Sequence, residues 1–311
     1  MSPPLQFAVF SFNRGRFLRH CVESLERFAP GCSVHVLDDA SDDPETQDVL
    51  RALATRHQVT VVDKSGVSKH GGLYANMQRA METAQPEVPL CFLQDDAQLV
   101  RPVEPQDFAI IDRFFAHSPQ AAFLSPAFIH RRKKARPPDA LQFDADAGVY
   151  FPKLTQQMAG VHYSDISITV PSRLRAVGWQ FKTTENGNEL QARAHFLRLG
   201  ILQSPFAMML PLVPAFRGKR KTWALTLGER RSGCGFHPIA PMTADEVAAL
   251  RARDNSRFPY VEDYLRVEGR DLPEPWRFNG LQGQRDLKWL NSIEVRVRRW
   301  VAAVTPKANG S

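Results

Sequence analysis

The residues best suited to chemistry are two adjacent carboxylates, Asp95-Asp96, directly after the apolar run Leu90-Cys91-Phe92-Leu93. Hard cations such as Mg²⁺ and Mn²⁺ take oxygen ligands and bridge protein carboxylates to diphosphates. Two acids at the carboxyl end of a buried strand suit such an ion together with a ribose, although a solvated turn would carry the same two letters. A second pair, Asp38-Asp39, follows the apolar stretch 33–37, where a carboxylate accepts hydrogen bonds from a base or ribose. Asn13-Arg14 closes a third apolar run, Phe7 to Phe12. Lys69 and Gly71-Gly72 precede a helical pattern, whose first amides and dipole attract phosphate.

The elements that must hold these groups follow a βαβαβ rhythm. Strand-like runs at 7–12, 33–37, 59–62 and 90–93 alternate with helical spacing at Phe17 to Leu25, through Val49 to Leu53, and at Leu73 to Met81. That alternation predicts a mostly parallel sheet covered by helices on both faces, with ligands beyond the carboxyl ends of its strands. Three of the four strands leave into segments rich in Asn, Asp or Arg, so the crevice is expected there. From residue 102 to about 240 the rhythm is irregular. A helix is expected over 108–115, strands over 121–128 and 166–170, helices over 171–177 and 191–199, and turns over 216–241. Thr243 and Glu246 form a capping-box pattern that opens a helical C-terminal appendage. The expected division is 1–105, 106–240 and 241–311.

Composition narrows the partners. Hydrophobic residues are 43% and charged residues 23%, which excludes wholesale disorder. The net charge is +7, with basic clusters at 131–134, Arg217 to Lys221, Arg230-Arg231 and along 287–304. An anionic partner is expected. Cys21, Cys32, Cys91 and Cys234 form no CxxC pair, and the opening Met-Ser-Pro-Pro-Leu-Gln lacks a signal-peptide pattern. A cytoplasmic chain without a zinc site or disulfide framework is therefore expected. Over 287–304, Leu290, Ile293, Val297, Trp300, Val301 and Val304 share one helical face among basic residues. That face suits an anionic membrane surface or the protein's own core.

In order along the chain stand Phe-Ala-Val-Phe-Ser-Phe-Asn-Arg, Val-Leu-Asp-Asp-Ala-Ser-Asp-Asp, Gly-Gly-Leu-Tyr-Ala-Asn and Cys-Phe-Leu-Gln-Asp-Asp. Together they resemble the family 2 glycosyltransferases of the GT-A fold, well over residues 5–105 and loosely over 160–200. The resemblance implies a metal-dependent, inverting transfer of sugar from a nucleotide-diphosphate donor, a UDP-sugar foremost. The implied acceptor is a hydroxyl of a glycan or lipid-linked carrier, in bacterial surface polysaccharide synthesis. It assigns Phe12, Asn13, Arg14, Asp39, Lys69 and Asp95 to the nucleotide. Asp96 is assigned to Mn²⁺ or Mg²⁺, with His237 a candidate late metal ligand. Arg217, Lys219, Arg220, Lys221, Arg230 and Arg231 flank that histidine, and one or two suit a departing diphosphate.

Two departures stand out. Gln94 occupies the first acid of the commoner Asp-x-Asp motif. The family's catalytic base falls on Asn186 counting from Gly178, and on Gly187 counting back from Arg193. Glu189, then Glu185, then Asp165 are the candidate replacements. Two rival readings remain: a sugar nucleotidyltransferase of related fold, and a basic nucleic-acid-binding protein. The first is opposed by a single glycine in the loop 13–16. The second is opposed by the scarcity of interleaved basic and aromatic residues, and no nucleic acid is expected as a partner.

Overall fold

A computed structural model describes residues 4–62, 72–129, 131, 141–153, 160–215 and 221–304. Lys69, Gly71, Arg217, Lys219, Arg220 and the basic stretch 132–138 lie outside the described residues. The first half runs β1 (Gln6–Ser11), α1 (Gly15–Phe28), β2 (Ser33–Asp38), α2 (Pro44–Leu53), β3 (Gln58–Val61), α3 (Gly72–Thr83) and β4 (Leu90–Gln94). After it come β5 (Ala97–Leu99), α4 (Pro105–His117), β6 (Leu124–Ser125), β7 (Leu141–Asp144), β8 (Val149–Pro152), β9 (Ser167–Thr169), α5 (Pro171–Ala176), α6 (Glu185–His195), β10 (Gly200–Leu202) and β11 (Ala207–Met209). The chain ends with α7 (Trp223–Ser232), α8 (Ala244–Ala252), α9 (Val261–Tyr264) and α10 (Arg285–Val304).

Among the described residues nine strands form one sheet, in the order β3-β2-β1-β4-β9-β6-β10-β8-β7. β3, β2, β1 and β4 are parallel, and β9 then joins β4 antiparallel. All six residues of β1 are buried, as a strand covered on both faces requires. Alternate side chains serve two cores. Phe7 and Val9 pack with Leu18, Val22 and Leu25 of α1, whereas Ala8 and Phe10 pack with Met77, Ala80 and Met81 of α3. Burying each large apolar side chain contributes roughly 1.5–3 kcal/mol, so these layers fix where the strand ends lie. Arg101, fully buried, donates to both carboxylate oxygens of Asp107 at 2.8 Å and to the Pro205 carbonyl at 3.0 Å. It ties the start of α4 to the segment before β11.

The irregular half differs from its sequence reading in defined ways. The strand expected over 121–128 shrinks to β6, because Pro126 has no N–H to continue a ladder. The helix expected over 191–199 begins earlier: Thr184 accepts from the Gly187 amide at 3.1 Å and caps α6 at Glu185. Gly200 opens β10, where a Cβ would press against the Phe114 ring. A helix, α7, lies within the stretch expected as turns, capped by Thr222 and ended by Gly233 at φ +66°.

The chain parts into two compact units, Met1–Met209 with Ile239–Arg266, and Leu210–Pro238 with Val267–Ser311. These cut across the expected thirds. Met242 donates to the Val100 carbonyl at 2.8 Å and Ile129 bridges Tyr260, so α8 and α9 belong to the first unit. In the second unit α10 lies against the start of α7. Glu294 accepts from the Trp223 amide at 3.0 Å, and Arg298 donates to the Lys221 carbonyl at 3.0 Å.

Candidate active site

From β1 the chain moves to β2 and β3 on one side, then returns to β4 on the other. The strand order therefore reverses between β1 and β4, the position at which open α/β sheets bind ligands beyond their carboxyl ends. Phe12, Asn13 and Arg14 follow β1 there, and Asp95 and Asp96 follow β4. Phe10 pairs with Gln94, and the Asp95 amide continues the ladder to the Phe10 carbonyl at 2.9 Å.

Arg14 joins these two strand ends. Its Nη1 lies 3.3 Å from Asp95 Oδ1 and 2.9 Å from Asp96 Oδ2. The Phe12 amide donates to Asp95 Oδ2 at 3.3 Å. Burial pushes both carboxyl groups up from their ordinary values, and the Arg14 charge opposes that shift. Burial in turn pulls Arg14 down, but the two acids outweigh it and leave the guanidinium raised. Two carboxylates against one guanidinium leave the tip of β4 electronegative when both are ionised. Asp96 Oδ1 is buried with no hydrogen-bond partner among the described residues. Leaving such an oxygen unpaired costs on the order of 1–3 kcal/mol, more for a charge, so it marks a place where a cation would bind favourably.

The end of β2 is built differently. Asp38 is fully buried and accepts from the Ser41 amide at 2.7 Å and the Ser41 hydroxyl at 2.6 Å. Ser41 Oγ in turn accepts from the Asn13 amide at 2.8 Å. The Asn13 side chain donates to Asp42 at 2.6 Å and accepts from the Asp42 and Asp43 amides at 2.9 and 3.0 Å. Asn13 and Ala40 sit at φ +50° and +53°, the left-handed region that this clip imposes. Asp39, half-buried, faces the start of α3, where a Cβ on Gly72 would overlap its carboxylate. Of the residues assigned to the nucleotide, Asn13 thus spends its amide group within the fold. Phe12, Arg14, Asp39 and Asp95 line the strand ends.

The carboxylates from the second half divide likewise. β9 pairs Ser167 with Phe92 in antiparallel register, so two residues back Asp165 comes level with Gln94, one residue short of Asp95. Tyr74 of α3 donates to Asp165 Oδ2 at 3.2 Å, and Tyr163 also bonds this carboxylate. Asp165 Oδ1 is buried without a partner among the described residues. Burial raises Asp165 against the pull of the two tyrosines. Glu185, in the first turn of α6, is raised by burial and by the charges of Asp165 and Glu189. Glu189 is 6% exposed, and its carboxylate accepts from the His162 amide at 3.0 Å, the Tyr163 amide at 3.0 Å and His162 Nδ1 at 3.0 Å. It fastens the 162–163 backbone.

His237 lies in the second unit, with Nε2 2.8 Å from the Gly233 carbonyl oxygen and 3.4 Å from Arg270 Nη1. Lys221 is paired with Glu229 at 2.6 Å and Arg231 with Asp286 at 3.4 Å. Among the described residues no three His, Cys, Asp or Glu side chains cluster as a metal cage. The oxygen-only donor set and the orphaned Asp96 Oδ1 fit a hard cation that takes its remaining ligands from a diphosphate and water. An open hollow of about 590 Å³ lies at the opposite, amino-terminal end of the strands, lined by Gln6, Ser33, His35, Arg56 and Thr83. None of the acids just described borders it.

Tyr74, Tyr163 and the Arg14 ion pair are the parts that sequence reasoning missed. Tyr74 stands within the Gly-Gly-Leu-Tyr-Ala-Asn motif, and that was its only signal.

Residues 7–102 match the family model described as glycosyl transferase family 2. No curated protein matches the chain. Among solved structures, it is similar to S. aureus TarS 1-349, at 15% identity over 67% of this chain and 60% of that one, TM-score 0.47. The same fragment in complex with UDP gives 17% identity over the same shares, TM-score 0.48. The mannosyltransferase PcManGT from Pyrobaculum calidifontis, in complex with GDP-Man and Mn²⁺, gives 14% identity over 98% of this chain and 77% of that one, TM-score 0.44. The chain thus spans 60% of the length of the TarS fragment.

Proposed function

We propose that this chain is a glycosyltransferase of the GT-A fold; the match of residues 7–102 to the family model described as glycosyl transferase family 2 supports the reading. It moves a sugar from a nucleotide-diphosphate donor, a UDP-sugar foremost, to a hydroxyl of a glycan or lipid-linked acceptor. Bacterial surface polysaccharide synthesis, at the inner face of the membrane, is the setting proposed for it. The observation that carries this reading is the Arg14-bridged pair Asp95-Asp96 at the β1/β4 reversal, with Asp96 Oδ1 left unpartnered.

Asp39 and Asp95 take the base and ribose, with the Phe12 ring beside them. Asp96 would hold Mn²⁺ or Mg²⁺, which when bound would offset the diphosphate charge and make it a better leaving group. Arg14, already between the two acids, supplies a fixed positive charge where the diphosphate departs. The acceptor oxygen attacks the anomeric carbon as the bond to phosphate breaks, inverting the centre in a single displacement. Its proton passes to a carboxylate. Three donors already occupy Glu189, which favours Asp165, with Glu185 beside it, as the acceptor of that proton. Burial holds Asp165 above the ordinary carboxylate range, which makes it a stronger base than a solvated acid.

A thermal-shift panel of UDP, GDP, dTDP and CMP, each with and without Mn²⁺, tests the reading. One diphosphate should stabilise the protein in a cation-dependent way, following RT ln(1 + [L]/Kd). Stabilisation by none of the four, or an unchanged Mn²⁺ response in Asp96→Asn, overturns it.

A further inference from the structure

The second compact unit concentrates positive charge and exposes apolar surface. Leu210–Pro238 and Val267–Ser311 contain 14 Lys and Arg against six Asp and Glu, a net +8 where the whole chain carries +7. The first unit is therefore slightly acidic, and the excess positive charge belongs to the second.

Within that unit α10 is inside out. Its face toward α7 is largely polar: Asn291 meets Thr222, Glu294 accepts from the Trp223 amide, and Arg298 donates to the Lys221 carbonyl. Its other face bears Trp289, Ile293, Val297 and Trp300, spaced by four, four and three residues so that they form one stripe. Trp289 is 65% exposed, Trp300 67% and Val297 53%, with Leu290 alongside. Trp223, at the first position of α7, is likewise 67% exposed, and its amide donates to Glu294. A helix in a water-soluble protein ordinarily turns its apolar stripe inward. A contiguous exposed stripe marks a surface that meets something else.

We propose that the outer face of α10 docks on an anionic lipid bilayer. Indoles are suited to the boundary between headgroup and acyl chain, and Arg285, Lys288 and Arg296 share the helix with them for contact with anionic headgroups. A second copy of the chain would bring +8 against +8, which opposes self-association through this face. No helix among the described residues is long and apolar enough to cross a membrane. This docking is independent of the transfer reading, because vesicle binding requires neither donor nor turnover.

The test is flotation of the full chain with vesicles of equal parts phosphatidylglycerol and phosphatidylcholine, against vesicles of phosphatidylcholine alone. Binding to the anionic vesicles should be at least ~10-fold greater and should weaken with salt. The double variant Trp289→Ser, Trp300→Ser should lose at least ~10-fold of that binding while keeping its melting temperature and its nucleotide-induced shift. Lys288→Gln with Arg296→Gln should weaken binding to the anionic vesicles only. Equal binding to both vesicle types, no binding to either, or binding untouched by the tryptophan changes overturns the proposal. A dimer in sedimentation that the same tryptophan changes dissociate also overturns it, since the occupant is then a second copy.

Discussion

Asp38 and Asp96 stand at the same end of one sheet, on strands that flank β1, and both are largely shielded from water. Asp38 uses both oxygens on Ser41, whose own hydroxyl holds Asn13, so the acid knits two loops together. Asp96 shares one oxygen with Arg14 and leaves the other without a partner among the described residues. The acids of the second half repeat the contrast. Glu189 is taken up by His162 and Tyr163, whereas Asp165 keeps one buried oxygen unmatched. A satisfied carboxylate is a fastening. An unsatisfied one in a buried site lowers stability until a cation or proton arrives, and that is the condition of a functional group.

The contrast can be broken most forcefully at Asp165. Asp165→Asn should reduce kcat by on the order of 10²–10⁴-fold while nucleotide affinity holds, measured by turnover and titration. An equal loss of nucleotide binding would make it a donor ligand instead. Its stability should move the other way from a fastening's. Burial raises Asp165 above the ~3.9 of an unfolded chain. The stability due to this group is therefore complete below that value and is lost as pH rises through the native one. As pH rises from about 4 upward, the asparagine variant should therefore lose less melting temperature than the parent.

Asp96→Asn should slow transfer by on the order of 10²–10³-fold, with a melting temperature within about 2 °C of the parent. A large drop in melting temperature would class Asp96 with the fastenings. Asp38→Ala strips two hydrogen bonds from Ser41 in a buried loop and should cost roughly 2–3 kcal/mol in denaturant unfolding. Its activity per folded molecule should decline far less than that of the two orphaned acids. Glu189→Gln, the mildest change, should cost about 1–2 kcal/mol, because an amide cannot accept at every position the carboxylate does. If its turnover instead fell as far as that of Asp165→Asn, Glu189 would regain the base role the sequence suggested.

The parallel half was legible because its physics is local. Apolar runs of four to six residues ending in Asn, Arg or Asp, alternating with helical spacing, predicted β1 to β4 and their polar exits before any contact was known. The capping box at Thr243 and Glu246 was equally plain, since its bonds span three residues. Arg101 was not legible: its partners are Asp107, Ser204 and Pro205, and nothing near it in sequence distinguishes it from a solvated arginine. Glu189 stands first among the candidate bases in the sequence, where nothing local reveals residues 162 and 163 folding back onto its carboxylate.

By itself the sequence determined which residue types crowd the strand ends, and hence that a polar, acid-rich crevice would open at the carboxyl edge of a helix-covered sheet. Hydrophobic periodicity suffices for that, because burial is decided over a few residues. Only the tertiary structure decided which acids are fastened and which remain unmatched, and that α10 turns its tryptophans outward. For Glu189, Asp96 and Asp165 those outcomes depend on partners 26 to 91 positions away, as with Glu189 and Tyr163 or Tyr74 and Asp165, and no spacing rule reaches that far; Asp38, held by Ser41 three residues on, is the local exception.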